Sequence, residues 1–252
     1  MKKSYYHIGI ILFLAFWVGF FSGCSSKEVD QKTKQQIDLK KAKDFQRAGR
    51  YDLALERYQE IKNKYPLSPE AVEAELEIAE TMYLSSNFIE SLAYFQSFQD
   101  LHPTHPQSDF VAFRIGMNYF KQLPSTIDRD LSQAQKAIES FDRFLAAYPK
   151  STYKKEAEAM RKESLLKLAQ KELYIAEFYL KRKKYQSALG RFDEILKMYK
   201  NVGLDDEALY YQGVCYYELN EKNKAKRTFN LLLLQFPQSK RATEAKVFLN
   251  KI

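Results

Sequence analysis

Four side chains in this sequence have types and positions that invite chemistry: Cys24, Cys215, His102 and His105. The two histidines stand in Leu-His-Pro-Thr-His-Pro, Leu101 to Pro106, close enough to share a metal ion. A structural or catalytic metal site needs more donors than two, and the remaining histidine is the distant His7. The flanking prolines make a turn between elements the better account. Cys215 lies beside Tyr216 in an apolar helical pattern and reads as a core thiol rather than a nucleophile. Cys24 is different, because an apolar run stops there and a polar one begins. It is the end of a membrane span, half of a disulfide, or a point of covalent attachment to lipid. No phosphate-binding loop, dinucleotide-binding glycines or Ser-His-Asp arrangement is present, and the carboxylates are scattered. No catalytic, cofactor-binding or metal-ligating residue is therefore expected, and the chain does not read as an enzyme.

The residues before Cys24 narrow its role. Lys2 and Lys3 precede an apolar run from Ile8 to Phe21. That run is short of the roughly 20 residues that cross a bilayer but suits the apolar region of a secretory signal. Its end, Phe21-Ser22-Gly23-Cys24, resembles a bacterial lipoprotein lipobox, with Phe21 where such signals usually carry leucine. The resemblance implies a signal peptide over 1–23 and a Cys24 thiol turned into a thioether to diacylglycerol, with palmitate among its acyl chains. Several acyl chains on one residue bury enough methylenes for stable anchoring. Ser25 and Ser26, with no Asp after the cysteine, fit an outer-membrane destination facing the periplasm. Residues 24–36 are polar and without apolar period, so a flexible tether is expected there.

The elements that follow are predicted to be helices. Only eight Gly and seven Pro interrupt 252 residues rich in Lys, Glu, Ala, Leu and Gln. Two cysteines exclude a disulfide-stapled scaffold. Lys and Arg outnumber Asp and Glu by 40 to 32, yet the two signs alternate along the chain, which describes a solvated helical surface and not a nucleic-acid-binding patch.

From Ile37 onward the chain repeats itself. Ala42, Phe45, Gly49, Tyr51, Ala54, Tyr58, Ile61 and Pro66 return 37 residues later as Ala79, Met82, Ser86, Phe88, Ser91, Phe95, Phe98 and Pro103. The same spacings recur in Ala176, Tyr179, Lys183, Tyr185, Ala188, Phe192 and Ile195, and again in Gly213, Tyr216, Asn220, Lys222, Ala225, Phe229, Leu232 and Pro237. A stretched copy lies between: Gly116 and Tyr119 open it, and Ala137, Phe141, Phe144 and Pro149 close it, with about nine residues inserted near Lys121–Gln133. Small residues at the first position let two helices cross closely, large ones fill the gap, and proline stops the second helix. This frame resembles the tetratricopeptide repeat. The expected fold is all-α: a solenoid of about five helix-turn-helix repeats (37–68, 72–105, 108–150, 169–201 and 206–238) within one domain over 37–252. One long helix over 151–182 joins the third repeat to the fourth, and 239–252 form a capping helix.

Beyond the repeats, "LHPTHPQSDFVAFRIGMNYF", the Asp-Arg-Asp at 128–130 in the insertion, "FDRFLAAYPKSTY" and "LAQKELYIAEFYLKRKKYQSALGRF" together resemble the BamD family, lipoproteins of the machinery that assembles outer-membrane β-barrels. The resemblance implies a periplasmic scaffold whose C-terminal repeats bind a BamA-like barrel protein, alongside other assembly lipoproteins, and whose N-terminal repeats meet unfolded outer-membrane proteins. Arg191 falls on a basic position that the family sets against an acidic residue of BamA. Tyr65 and Tyr83 are the candidates for the substrate groove. Lys200 stands where the other repeats end in proline, which unsettles the turn that follows. The alternative is a repeat lipoprotein that coordinates peptidoglycan or cell-division proteins. Neither reading calls for nucleic acid, a small-molecule substrate or a cofactor.

Overall fold

The computed structural model describes residues 25–252, and side chains from Asp30 onward. Cys24 and the leader lie outside the described residues. Eleven helices fill the described chain: α1 Ser25–Arg47, α2 Tyr51–Lys64, α3 Pro69–Leu84, α4 Phe88–Leu101, α5 Ser108–Lys121, α6 Ser132–Ala147, α7 Lys154–Lys181, α8 Tyr185–Met198, α9 Asp205–Glu218, α10 Lys222–Gln235 and α11 Lys240–Leu249. No strand occurs among them. Two compact units result, one ending at Tyr94 and the other beginning at Phe95, both inside α4.

The repeat frame is the core. At its first position Ala42, Ala79 and Ala176 are fully buried. At its fifth, so are Ala54, Ser91, Ala137, Ala188 and Ala225, and one turn later Tyr58, Phe95, Phe141, Phe192 and Phe229. In the first, third, fourth and fifth pairs small residues are thus buried with a large one, which leaves little room for voids. The glycine copies mark the closest approaches: a Cβ on Gly116 would come within 2.6 Å of the Phe141 ring. Ser91 is the polar exception, and its hydroxyl is satisfied by donating to the carbonyl of Ala79 at 2.9 Å.

The turns within pairs are equally regular. Gly49, Ser86, Lys183 and Asn220, the third frame position, all have φ between +56° and +71°. The following residue returns its N–H five residues back, Arg50 to Phe45, Asn87 to Met82, Lys184 to Tyr179 and Glu221 to Tyr216, at 2.8 to 3.0 Å. This is the Schellman closure of a helix, in which one left-handed residue reverses the chain. The stretched third copy has no such residue. Its insertion is instead fastened to α7, where the Lys167 ammonium donates to the Pro124 carbonyl at 3.0 Å and Lys171 to that of Arg129 at 3.4 Å.

Three sequence expectations take a more specific form. The long helix is α7, 28 residues without a break; it packs on α6 and also on α8. The turn after Lys200 closes without proline. Asn201 and Gly203 adopt φ of +64° and +110°, and both Asp205 carboxylate oxygens accept the Asn201 N–H at 3.0 Å. The expected flexible tether is corrected: Ser25 to Gln36 belong to α1. Its Lys, Gln and Glu residues favour helix without any apolar stripe, and Lys34 pairs with Asp30 one turn away at 2.8 Å.

Candidate protein-docking surface

In the first unit, polar side chains link α1 to α3. Lys43 pairs with Glu73 and lies 3.6 Å from Glu77. Gln46 donates through Nε2 to Glu77 and to Thr81 Oγ1, both at 2.9 Å. Tyr58 donates its hydroxyl to Gln46 Oε1 at 3.4 Å, and burial pushes its ionisation upward. Tyr65 is part of the same core rather than of a groove. Its ring is 7% exposed, and its hydroxyl donates to Asp38 at 3.0 Å. The frame places it just before the helix-stopping Pro66, where the chain turns inward. Tyr83 is half-buried near the end of α3 and meets Phe88 edge-on at 5.4 Å. The two tyrosines therefore differ: Tyr65 is closed off, whereas Tyr83 keeps part of its ring accessible.

A cleft of about 390 Å³ opens between α1 and α2, lined by Asp38, Lys41, Phe45, Arg57, Glu60 and Lys64. Its charges largely satisfy one another: Arg57 pairs with Glu60 at 2.7 Å and Lys64 with Asp38 at 3.2 Å. Burial works against the Asp38 carboxylate, but the bonds from Lys64 and Tyr65 prevail and hold it below its ordinary value of 3.8.

In the second unit, α8 carries Arg191. Its Nη1 donates to Glu172 of α7 at 2.9 Å; the arginine side chain is 43% exposed and the glutamate 17%. The bond to Glu172 raises the already high guanidinium pKa further, so the charge is permanent. A guanidinium carries five donors in a planar fork. The pair therefore fixes Arg191 in place and leaves its outer edge toward solvent, where it can grip a partner's carboxylate. The sequence reading overlooked Glu172. Its signal was present: it lies one turn before Ala176 on the helix that Arg191 packs against. Two similar bonds join later helices: Gln212 of α9 donates to Asp193 of α8 at 2.6 Å, and Arg241 of α11 pairs with Glu207 of α9; within α11, Arg241 also pairs with Glu244 at 2.9 Å.

The candidates for chemistry are occupied in the core or its turns. His102 and His105 both pack on the Phe98 ring, with ring centroids 4.7 and 5.1 Å away. His105 Nδ1 accepts the Gln107 N–H at 3.2 Å, which fixes it in the turn before α5. Cys215 is buried in the cluster of Ala176, Ala188 and Phe192, and burial pushes its thiol up to about 12.

A family model described as outer membrane lipoprotein, YfiO, matches residues 30–232. The chain belongs to that family. YfiO-family relatives include the outer membrane protein assembly factor BamD of Neisseria meningitidis, 27% identical over 81% of this chain and 80% of that one. BamD of Vibrio cholerae is 26% identical over 84% of this chain and 92% of its own. BamD of Rickettsia prowazekii is 28% identical over 76% of each. Among solved structures, the tetratricopeptide domain of yeast Sti1 aligns over 87% of this chain with 14% identity and a TM-score of 0.46. Among the described residues no helix is long and apolar enough to cross a membrane.

Proposed function

We propose that this YfiO-family chain is a non-catalytic scaffold for outer-membrane protein assembly, held at the periplasmic face of the outer membrane by lipid on Cys24. The second unit docks on a BamA-like barrel protein through Arg191. The first unit receives unfolded outer-membrane proteins, with Tyr83 as its aromatic contact; Tyr65 supports that face from within. The observation that carries the reading is the alignment of assembly factors over about four fifths of the chain. The geometry at Arg191 supports it: a charge fixed by Glu172 and still partly exposed has its ordering cost met before a partner arrives.

The test is extraction of the native membrane in mild detergent and identification of the chains that co-purify. A BamA homologue is expected, with capture reduced by Arg191→Glu. A clean preparation without any such protein would sink the reading. Depletion of the protein separates the alternative: loss of barrel proteins from the outer membrane supports assembly, whereas filamentous cells with normal barrels point to division or cell-wall scaffolding. Intact mass of the mature protein tests the lipid on Cys24.

A further inference from the structure

The C-terminal half of α7 carries a second surface, on a different flank from Arg191. At 100° per helical residue, Tyr174 points about 200° away from Glu172, the residue that holds Arg191. Tyr174 and Phe178 are 57% and 45% exposed, one turn apart on the same face. Arg182, the next residue at this step, lays its guanidinium over the Phe178 ring, 3.5 Å from the centroid. Its Nη1 donates to the Phe178 carbonyl at 3.3 Å, which fixes the stack. Toward the helix N-terminus, Lys171 and Lys167 continue the stripe. Each gives a hydrogen bond to a backbone carbonyl of the insertion. Asp130, whose carboxylate interacts with Lys171, accepts from the Ser132 hydroxyl at 2.6 Å and the Ser132 N–H at 3.0 Å, and Glu163 stands one turn before Lys167.

We propose that this stripe docks an extended, acidic segment of another protein. The sign follows from its charge: the exposed Arg182 and the half-buried Lys167 and Lys171 stand in line with two exposed aromatic rings. The extended form follows from the spacing. Successive members of the stripe stand three or four residues apart, about 4.5–6 Å along the helix, so the five span about 22 Å. Side chains on one face of an extended strand recur at about 6.6–6.8 Å. A strand with acidic, acidic, apolar, apolar and acidic residues at alternate positions spans about 27 Å and pairs in order with Lys167, Lys171, Tyr174, Phe178 and Arg182, the long Lys167 and Arg182 side chains at the ends taking up the difference. Exposed aromatics beside arginine are also the composition that carries binding energy at protein interfaces. The stacked guanidinium retains edge donors for a carboxylate fork.

The experiment is fluorescence anisotropy with the full lipidated chain in detergent. The probe is a labelled nine-residue peptide with Glu at positions 1, 3 and 9, Leu at 5 and 7, and Ser between. Saturable binding is expected, weakened by salt and reduced at least about tenfold by Arg182→Glu and by Tyr174→Ser with Phe178→Ser. Unchanged helical circular dichroism shows that these surface variants fold, and Lys197→Glu on α8 should leave binding intact. No binding, equal binding of a scrambled peptide, or full affinity in the variants overturns the proposal. Binding of phosphatidylglycerol vesicles that depends on the same residues, without peptide binding, assigns the stripe to lipid and overturns it too.

Discussion

Gly213 and Phe229 lie in such close contact that a Cβ on the glycine would fall 2.5 Å from Cε1 of the ring. The same relation joins Gly116 to Phe141 at 2.6 Å, in the stretched copy. Gly190, on the outer side of α8, has nothing within 4 Å of its missing Cβ. These glycines predict opposite outcomes. Gly116→Ala and Gly213→Ala should each destabilise by about 1–3 kcal/mol through overpacking. Gly190→Ala should stabilise by about 0.5–1 kcal/mol through helix propensity. Urea unfolding midpoints of the three variants decide it.

The left-handed turns give a second contrast. Ser86 and Lys183 hold φ of +64° and +56°, a conformation that costs non-glycine residues energy. Lys183→Gly and Ser86→Gly should raise stability by a few tenths of a kcal/mol to about 1 kcal/mol, since relief of strain outweighs the added freedom of the unfolded chain. Asn220→Gly should change less, because asparagine tolerates this region. Thermal melts of the three single variants check the order.

Asp38 makes a pH prediction. Its folded pKa lies below 3.8, so the unfolded chain binds the proton more tightly. Its contribution is therefore present above pH 3.8 and is lost as pH falls through the lower folded value. Asp38→Asn should cost about 1 kcal/mol at neutral pH. The gap between variant and parent should close in acid. Denaturation curves at neutral and acidic pH test the sign; a gap that widens in acid would refute it.

Cys215 should resist alkylation. A thiol pushed up to about 12 holds almost no thiolate at pH 8, and burial denies the reagent access. Iodoacetamide should leave it unmodified in the native protein and modify it promptly in denaturant, as read by mass spectrometry.

The Arg191–Glu172 pair separates folding from docking. Arg191→Glu combined with Glu172→Arg keeps the 2.9 Å pairing in reverse and should preserve the melting temperature within about 2 °C. The exchange presents glutamate on α8, so capture of a BamA-like partner should fall. Retained capture would move the docking surface elsewhere.

Much of this architecture was legible because each repeat states one steric rule. The positions of the small residues and the rings could be read from spacing, but that Phe141 and Phe229 press on the glycines of their own pairs, Gly116 and Gly213, and not only between stacked repeats, is written in the fold. The third frame position was legible as a position but not as a conformation, since Lys183 and Ser86 carry no turn signature of their own. Two features resisted for physical reasons. The start of α1 has only propensity and an exposed ion pair, and such helices leave no apolar period to detect. Tyr65 looked like a groove aromatic because the chain direction after Ile61 is not written in the residue type. Its hydroxyl bond to Asp38 arises from a neighbour 27 residues away.

In an array whose members meet only through side chains, each helix pair can fray on its own. The 28-residue α7 removes that freedom at one point, because a single backbone ladder about 42 Å long belongs to both the third and the fourth pair. Opening either pair exposes half of a rod whose other half is still clamped. Amide hydrogen exchange should therefore find Ala157 and Ala176 in one cooperative opening unit. With no interhelix loop between these two pairs, the chain also offers an envelope protease no easy cut there. Arg191, held by Glu172, and the inserted loop, held by Lys167, are thereby parts of one mechanical lever.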